Sequence, residues 1–366
     1  MRLSSSHIYG KAIWFCIFLT SIIPAGSVMA QLGRTGVPFL LAPSDARGLS
    51  LAGGGSVYST GAMSAFYNPA CLVTCGAAAA EFGYFKYMPE LSDDIDLVSF
   101  CFARSFSEAG FYGLGYKRLN LGKQTRIDEV GNILGESSTY EYAISINAGI
   151  NFDRNNSIGI GLKYIKSQLS HVGLGRSSGV SGASTFAIDL GVLSRDHFPQ
   201  LTFRTGKISY PTLRKFCRAR DDQGMAFGLS LSNLGPGISY LDADQKDSLP
   251  RRLRLAAGYQ IIDTDQMGFR FMTDATKLLV DMDSGIKTEW QEIVWSFSFE
   301  GSFFYIIHLR LGKLNDRIAG DKRWTAGFGI GPEWLRFDYG RVLDDFEEPV
   351  YSLFINVPIG GFRVTE

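Results

Sequence analysis

The sequence predicts an all-β chain that closes into a transmembrane barrel of about 14 antiparallel strands behind a short helical N-terminal plug. Three observations predict it. From Ala77 onward apolar side chains recur at every second residue, over runs longer than soluble strands usually reach. The connections between runs alternate between long and short. Finally, 42 glycines, 13% aromatic and 20% charged residues in a chain of 366 average to a mean hydropathy of only +0.04, as expected where apolar and polar faces alternate along the same strands. A helical membrane bundle would need several apolar runs of about 20 residues. Only the extreme N-terminus approaches one.

That run lies in residues 1–30: Arg2 and Lys11, apolar Ala12 to Ile23, then Pro24, Gly26 and Val28-Met29-Ala30 before Gln31. Positive, apolar and small-residue regions in this order read as a secretory signal peptide. Its removal takes Arg2 and Lys11 from 36 basic residues and leaves 34 against 36 acidic ones. A near-neutral exported chain is a poor match for nucleic acid. Four cysteines remain, of which Cys71 and Cys75 can pair in an oxidising compartment. Only His171, His197 and His308 are left and none lies beside a cysteine, so no zinc site is expected, and no cofactor.

Residues 31–76 do not alternate and are expected to form the plug, or hatch. Ser44 and Asp45 are good caps ahead of Ala46-Arg47-Gly48-Leu49, and Gly53-Gly54-Gly55 stops the helix. A second small-residue stretch runs into Tyr67-Asn68-Pro69-Ala70-Cys71-Leu72, where the proline restricts Asn68 to extended backbone. The glycine run is not a phosphate loop, because no Gly-Lys-Ser/Thr follows it.

The barrel is expected over 77–366, with strands near 77–87, 95–106, 109–119, 139–152, 156–168, 182–195, 224–232, 251–262, 266–276, 291–301, 303–313, 322–332, 333–341 and 350–357. In 140–152 one face is Tyr140, Tyr142, Ile144, Ile146, Ala148, Ile150 and Phe152, and the other is small or polar. Aromatics close the apolar faces, as Tyr140, Phe152, Trp324 and Tyr351 do, which suits interfacial girdles. Lys163, Asp189, Arg254, Glu300, His308 and Arg310 all fall on the small or polar face. A lipid-facing Arg or Lys at the midplane costs about 2–4 kcal/mol, so these six are expected to face a lumen. Connections after odd strands are long and those after even strands tight, such as Asp153-Arg154-Asn155. That is the asymmetry of bacterial outer-membrane barrels. One connection breaks it: residues 196–223 carry Arg204, Lys207, Arg214, Lys215, Arg218 and Arg220. They form a solvated insertion, an extra hairpin (Leu201 to Tyr210) or a basic periplasmic surface for a partner.

The Ala-Arg-Gly-Leu stretch leading into a glycine cluster, followed by Tyr67-Asn68-Pro69-Ala70, resembles the N-terminal hatch of the PorV/PorQ family within the FadL-like barrels. Leu229 to Tyr240, followed by Leu249-Pro250-Arg251-Arg252-Leu253, is similar to a PorV segment around the eighth strand, and Ser157 to Leu169 is a third match. The resemblance implies a 14-stranded barrel in the outer membrane of a bacterial cell, reached after signal-peptide cleavage and surrounded by lipopolysaccharide. It also implies a non-enzymatic role in type IX secretion, receiving secreted cargo and passing it to other components of the system. The alternative is a FadL-like channel for hydrophobic small molecules, guarded by Asn68, Pro69 and Ala70. His308 and Arg310 share their parity with Glu300, but no serine partner follows from the spacing, so no catalytic constellation is expected.

Overall fold

The computed structural model describes residues 35–87, 92–107, 109–127, 133–170, 181–201, 224–240, 246–264, 266–280, 286–332, 334–343 and 349–357. The leader, Cys217 and the six basic residues between Arg204 and Arg220 lie outside them.

Among the described residues the alternating runs form fourteen strands: β1 (Ala78–Lys86), β2 (Ile95–Ser105), β3 (Gly110–Ile127), β4 (Ile133–Asn151), β5 (Asn156–Ser170), β6 (Ser181–His197), β7 (Gly224–Leu234), β8 (Arg252–Asp263), β9 (Met267–Leu278), β10 (Val294–Phe303), β11 (Ile307–Asn315), β12 (Trp324–Ile330), β13 (Leu335–Val342) and β14 (Val350–Val357). Each pairs antiparallel with its sequence neighbours, and β1 pairs with β14 from Ala78–Val357 to Tyr84–Tyr351, so the sheet closes on itself. Closure leaves no unpaired edge, the condition for strands to cross a bilayer. Both ends of the barrel wall therefore lie at one rim, with the short connections. The long connections mark the other rim as the cell exterior.

Three expected boundaries move by more than two residues, one of them the start of β11, expected at 303 and found at Ile307 because Phe304 to Ile306 make the turn after β10. Residues 120–138, expected as a loop, continue the β3–β4 ladder to Arg126–Gly135, with a register shift after Asn120. Polar side chains do not oppose a strand once it rises above the lipid, so the apolar alternation ends before the hydrogen bonding does. The expected strand start at 291 is instead a short helix, α2 (Ile286–Gln291), and β10 begins at Val294. Lys277 ties this turn down through ion pairs to Glu289 (2.5 Å) and Glu292 (2.9 Å).

The parity is as the sequence requires. On β5, Ile158, Ile160 and Leu162 are exposed, whereas Ser157 and Lys163 are buried. Aromatic rings gather in outward rows: Tyr140–Tyr142, Tyr142–Tyr164 and Tyr164–Phe186 lie 6.2, 6.3 and 5.3 Å apart, and Phe337 and Tyr339 both contact Tyr351. The core of this molecule is the barrel interior. It is filled by residues that precede β1.

Candidate functional site

The described chain begins at the exterior rim. Gly36 N–H donates to Ser248 O (3.0 Å) in the β7–β8 connection, and that connection itself bends inward, with Ile238 and Asp247 forming a bridge. Ile238 and Leu249 are fully buried against Val37 and Phe39. Asn233 makes the bend with φ 60. Its backbone N–H donates to Asp189 (2.8 Å), and its side chain receives Lys163 (2.8 Å) and donates to Pro250 O (3.0 Å). Lys163 and Asp189 form a 2.7 Å ion pair. These two lumen charges therefore hold the inward loop at the Ser-Asn-Leu-Gly-Pro segment.

Below this apolar cap runs α1 (Ala46–Ser50), with Asp45 as its N-cap, accepting from Gly48 N–H at 3.2 Å. Arg47 donates to both oxygens of Glu300 on β10, at 3.3 and 2.8 Å, and to Tyr58 O. Glu300 also receives Arg310 of β11 (2.8 Å) and faces Arg270 of β9 (3.6 Å). Arg310 bridges on to Asp338 of β13 (2.7 Å), which Arg336 also pairs (2.8 Å). The Arg310 and Asp338 side chains are wholly buried. Next along the plug, Gly55 N–H and the Ser56 hydroxyl both donate to Asp274 of β9 (2.9 and 2.6 Å). Arg254 of β8 pairs with Asp274 (3.3 Å) and donates to Gly53 O. The glycine run that ends α1 so supplies backbone groups to a charged wall, Gly53 and Gly55 taking φ values of 74 and 76.

The two hatch motifs meet each other. The Tyr67 hydroxyl donates to Asp45 (2.5 Å), and a Cβ at Gly48 would collide with that same hydroxyl, so the glycine of Ala-Arg-Gly-Leu makes room for the tyrosine of Tyr-Asn-Pro-Ala. Burial pushes the Asp45 carboxyl above its ordinary value of 3.8, and the Tyr67 hydrogen bond and nearby Arg47 pull it back in part. Burial, with Asp45 beside it, likewise raises the Tyr67 hydroxyl.

Asn68, extended ahead of Pro69, caps the 3-10 turn Pro69–Thr74 by accepting from Ala70 N–H (3.0 Å). It thus starts an element as well as ending one. Its amide donates to Val192 O on β6 (3.1 Å) and Leu229 O on β7 (3.5 Å). The turn lies against Gly149, Gly159 and Gly191, positions where a side chain would run into Pro69, Ala70 or Asn68. Cys71, Cys75 and Cys101 are buried and reduced, so the cysteines spaced to pair form no disulfide; Cys71 Sγ donates to Ser56 O (3.0 Å).

All six charged residues singled out on the lumen parity turn inward and are buried, but they serve four separate contacts. Lys163 and Asp189 hold the loop, Arg254 holds the glycine turn, and Glu300 with Arg310 holds α1. His308 lies 3.0 Å from Ser302 Oγ, a partner that spacing did not find, with both side chains buried in the wall. Arg47, Arg270, Asp274, Arg336 and Asp338 complete the network and were not singled out. The four on strands share the lumen parity, so the same alternation finds them; Arg47 carries no periodic signal.

A closed barrel with aromatic girdles, an inward charge network and its own N-terminal segment as a stopper defines an outer-membrane β-barrel protein. Residues 29–284 match the family model described as type IX secretion system protein PorV, and the chain belongs to that family. No curated protein matches it. Among solved structures it is similar to the toluene transporter TodX of P. putida (10% identity, 86% of this chain and 98% of that one, TM-score 0.49). It is also similar to the toluene transporter TbuX of Ralstonia pickettii (11%, 85% and 98%, 0.48) and to a FadL homologue of Pseudomonas aeruginosa (10%, 86% and 98%, 0.43). Likeness at this level carries no argument about ligand.

Proposed function

We propose that this barrel is a non-enzymatic, cargo-binding shuttle component of type IX protein secretion, working through its exterior surface with the lumen held shut. The family supports the setting. The observation that carries the surface reading is the double closure of the lumen: the inward β7–β8 loop packs on Val37 and Phe39 at the exterior rim, and a continuous Arg47–Glu300–Arg310–Asp338 chain fixes the plug beneath it. Cargo proteins and secretion components are then the partners at the exterior, and lipopolysaccharide the surrounding lipid. The basic residues between Arg204 and Arg220 offer a second, periplasmic contact by their charge alone.

The second reading, a channel for hydrophobic small molecules, draws its support from the hatch turn. Asn68 holds the carbonyls of β6 and β7 together where their register is irregular at both ends, a natural place for a guard. The charged belt below the apolar cap opposes it, since an apolar solute crossing that belt would strip charges of their partners. Recovery of the tagged protein from outer membranes, followed by mass spectrometry, separates the two. Type IX components or cargo in the eluate support the first reading; their absence, with fatty acid or hydrocarbon bound in the barrel, overturns it.

A further inference from the structure

The outward face of β4–β7 carries an apolar groove of about 540 Å³, bordered by Ile158, Ile160, Leu190, Val192, Leu229 and Leu231. That is within the range of ligand pockets, roughly 300–1,000 Å³. Its floor includes the backbone of Gly159 and Gly191. On their inner side these two glycines carry the contact with Asn68, Pro69 and Ala70, so the groove lies back to back with the hatch turn across the barrel wall.

A polar cluster closes the groove at the rim of the short turns. Two residues along from Ile158 and Val192, in the same outward rows, stand the paired residues Asn156 and Ser194. Ser194 Oγ donates to Asn156 Oδ1 and lies 2.7 Å from His197 Nε2. With the serine proton committed to Asn156, the imidazole is the donor of the pair, the reverse of a general base activating a nucleophile. The Asn156 amide in turn donates to Asp153 (2.7 Å), so the cluster is one connected polar chain that holds no activated nucleophile. His197 reaches it through a shift in the β6–β7 register between Ser194 and His197. Asp196 and Phe198 on either side take left-handed φ values of 59 and 53, a strained conformation for non-glycine residues that tends to mark functional sites. Phe152, Phe198 and Phe227 are exposed around it, with Phe227 5.9 Å from the imidazole, and aromatic residues at a barrel rim sit at headgroup level. The adjoining turn adds exposed Asp153 and Arg154.

We propose that this is a binding site for a glycerophospholipid of the periplasmic leaflet, with an acyl chain in the groove and the ester and phosphate region at Asn156, Ser194 and His197. The groove lies in the lipid-facing band, so hydrocarbon is what reaches it, and its polar end lies where esters and phosphates lie. Asp153 is taken up in capping the turn, which leaves exposed Arg154 as the charge facing a headgroup phosphate. The site stands independently of the secretion reading.

The test uses the full chain in vesicles of phosphatidylethanolamine and phosphatidylglycerol, the former with a diazirine near the end of one acyl chain, and maps photoadducts by mass spectrometry. Adducts should concentrate on β5, β6 and β7. Leu190→Trp, which fills the groove from a lipid-exposed position, should lower that yield about tenfold, equivalent to about 1.4 kcal/mol of binding. Leu309→Trp, also lipid-exposed but on β11, should leave it unchanged. His197→Ala should also lower the yield while the heat-modifiable gel shift shows an intact barrel. Adducts spread evenly around the wall, or a yield indifferent to Leu190→Trp in a folded barrel, would overturn the proposal.

Discussion

The plug is held by two walls that both meet it with glycine, Gly312, Gly327 and Gly340 lying against α1 and its end, but only one of them adds buried ion pairs. On the β9–β13 side the wall is charged, and Glu300, Asp274 and Asp338 organise arginines from both plug and strands. On the β4–β6 side the contact is neutral: a Cβ at Gly159 would collide with the backbone of Pro69 and Ala70, Gly149 and Gly191 crowd the same turn, and Ser157 donates to Ala70 O (3.3 Å). A charged contact inside a low-dielectric lumen is directional, and leaves a large penalty when one partner is lost. A glycine contact has no such directional pairing, yet it tolerates no added atom. The charged wall therefore fixes where α1 sits, and the neutral wall fixes how close the turn at Asn68 comes.

Removing a charge should have the largest effect. Glu300→Ala leaves Arg47, Arg270 and Arg310 facing one another without their shared acid, and breaking a buried pair costs about 3–5 kcal/mol. Thermal unfolding in detergent should show that loss, with protease cutting within residues 44–60. Adding an atom comes next. Gly191→Val drives a side chain into Asn68 and should cost about 1–3 kcal/mol as overpacking, while the ion pairs of α1 persist. If Gly191→Val exceeded Glu300→Ala, the two walls would have exchanged roles.

Asn68→Ala should cost about 1 kcal/mol, the usual loss for a cap, because Pro69 still imposes the extended backbone. The smallest effect is a pH response at the junction of the two motifs. Asp45 is raised in the folded state, mainly by burial. The sign follows: its stabilising contribution is full below its ordinary value of 3.8 and fades as pH climbs through the raised folded value. Protease resistance of the plug should therefore increase modestly on acidification from neutral pH, and Asp45→Asn should flatten that dependence.

The strands were legible because a lipid outside and a polar interior write opposite chemistry on alternate residues, as Ile158 and Lys163 show. The inward direction of Glu300 and Arg310 followed from the same rule. Their partners did not: Arg47 lies 253 residues from Glu300 and Tyr67 22 from Asp45, and contacts between a non-periodic segment and a wall leave no period to detect. By its length and its place after an odd strand the β7–β8 connection reads as an outer loop, whereas Asn233 turns it inward at φ 60. The Ser194–His197 pair was hidden because a register shift, which alternation cannot show, brings the two together.

The central claim is that the lumen is closed at two levels, and conductance of the purified full chain in a planar bilayer tests it most directly. The account predicts that the native barrel holds the membrane at background current and that Glu300→Ala opens steady conducting events. Steady conductance of the native barrel, unchanged by Glu300→Ala, would contradict it.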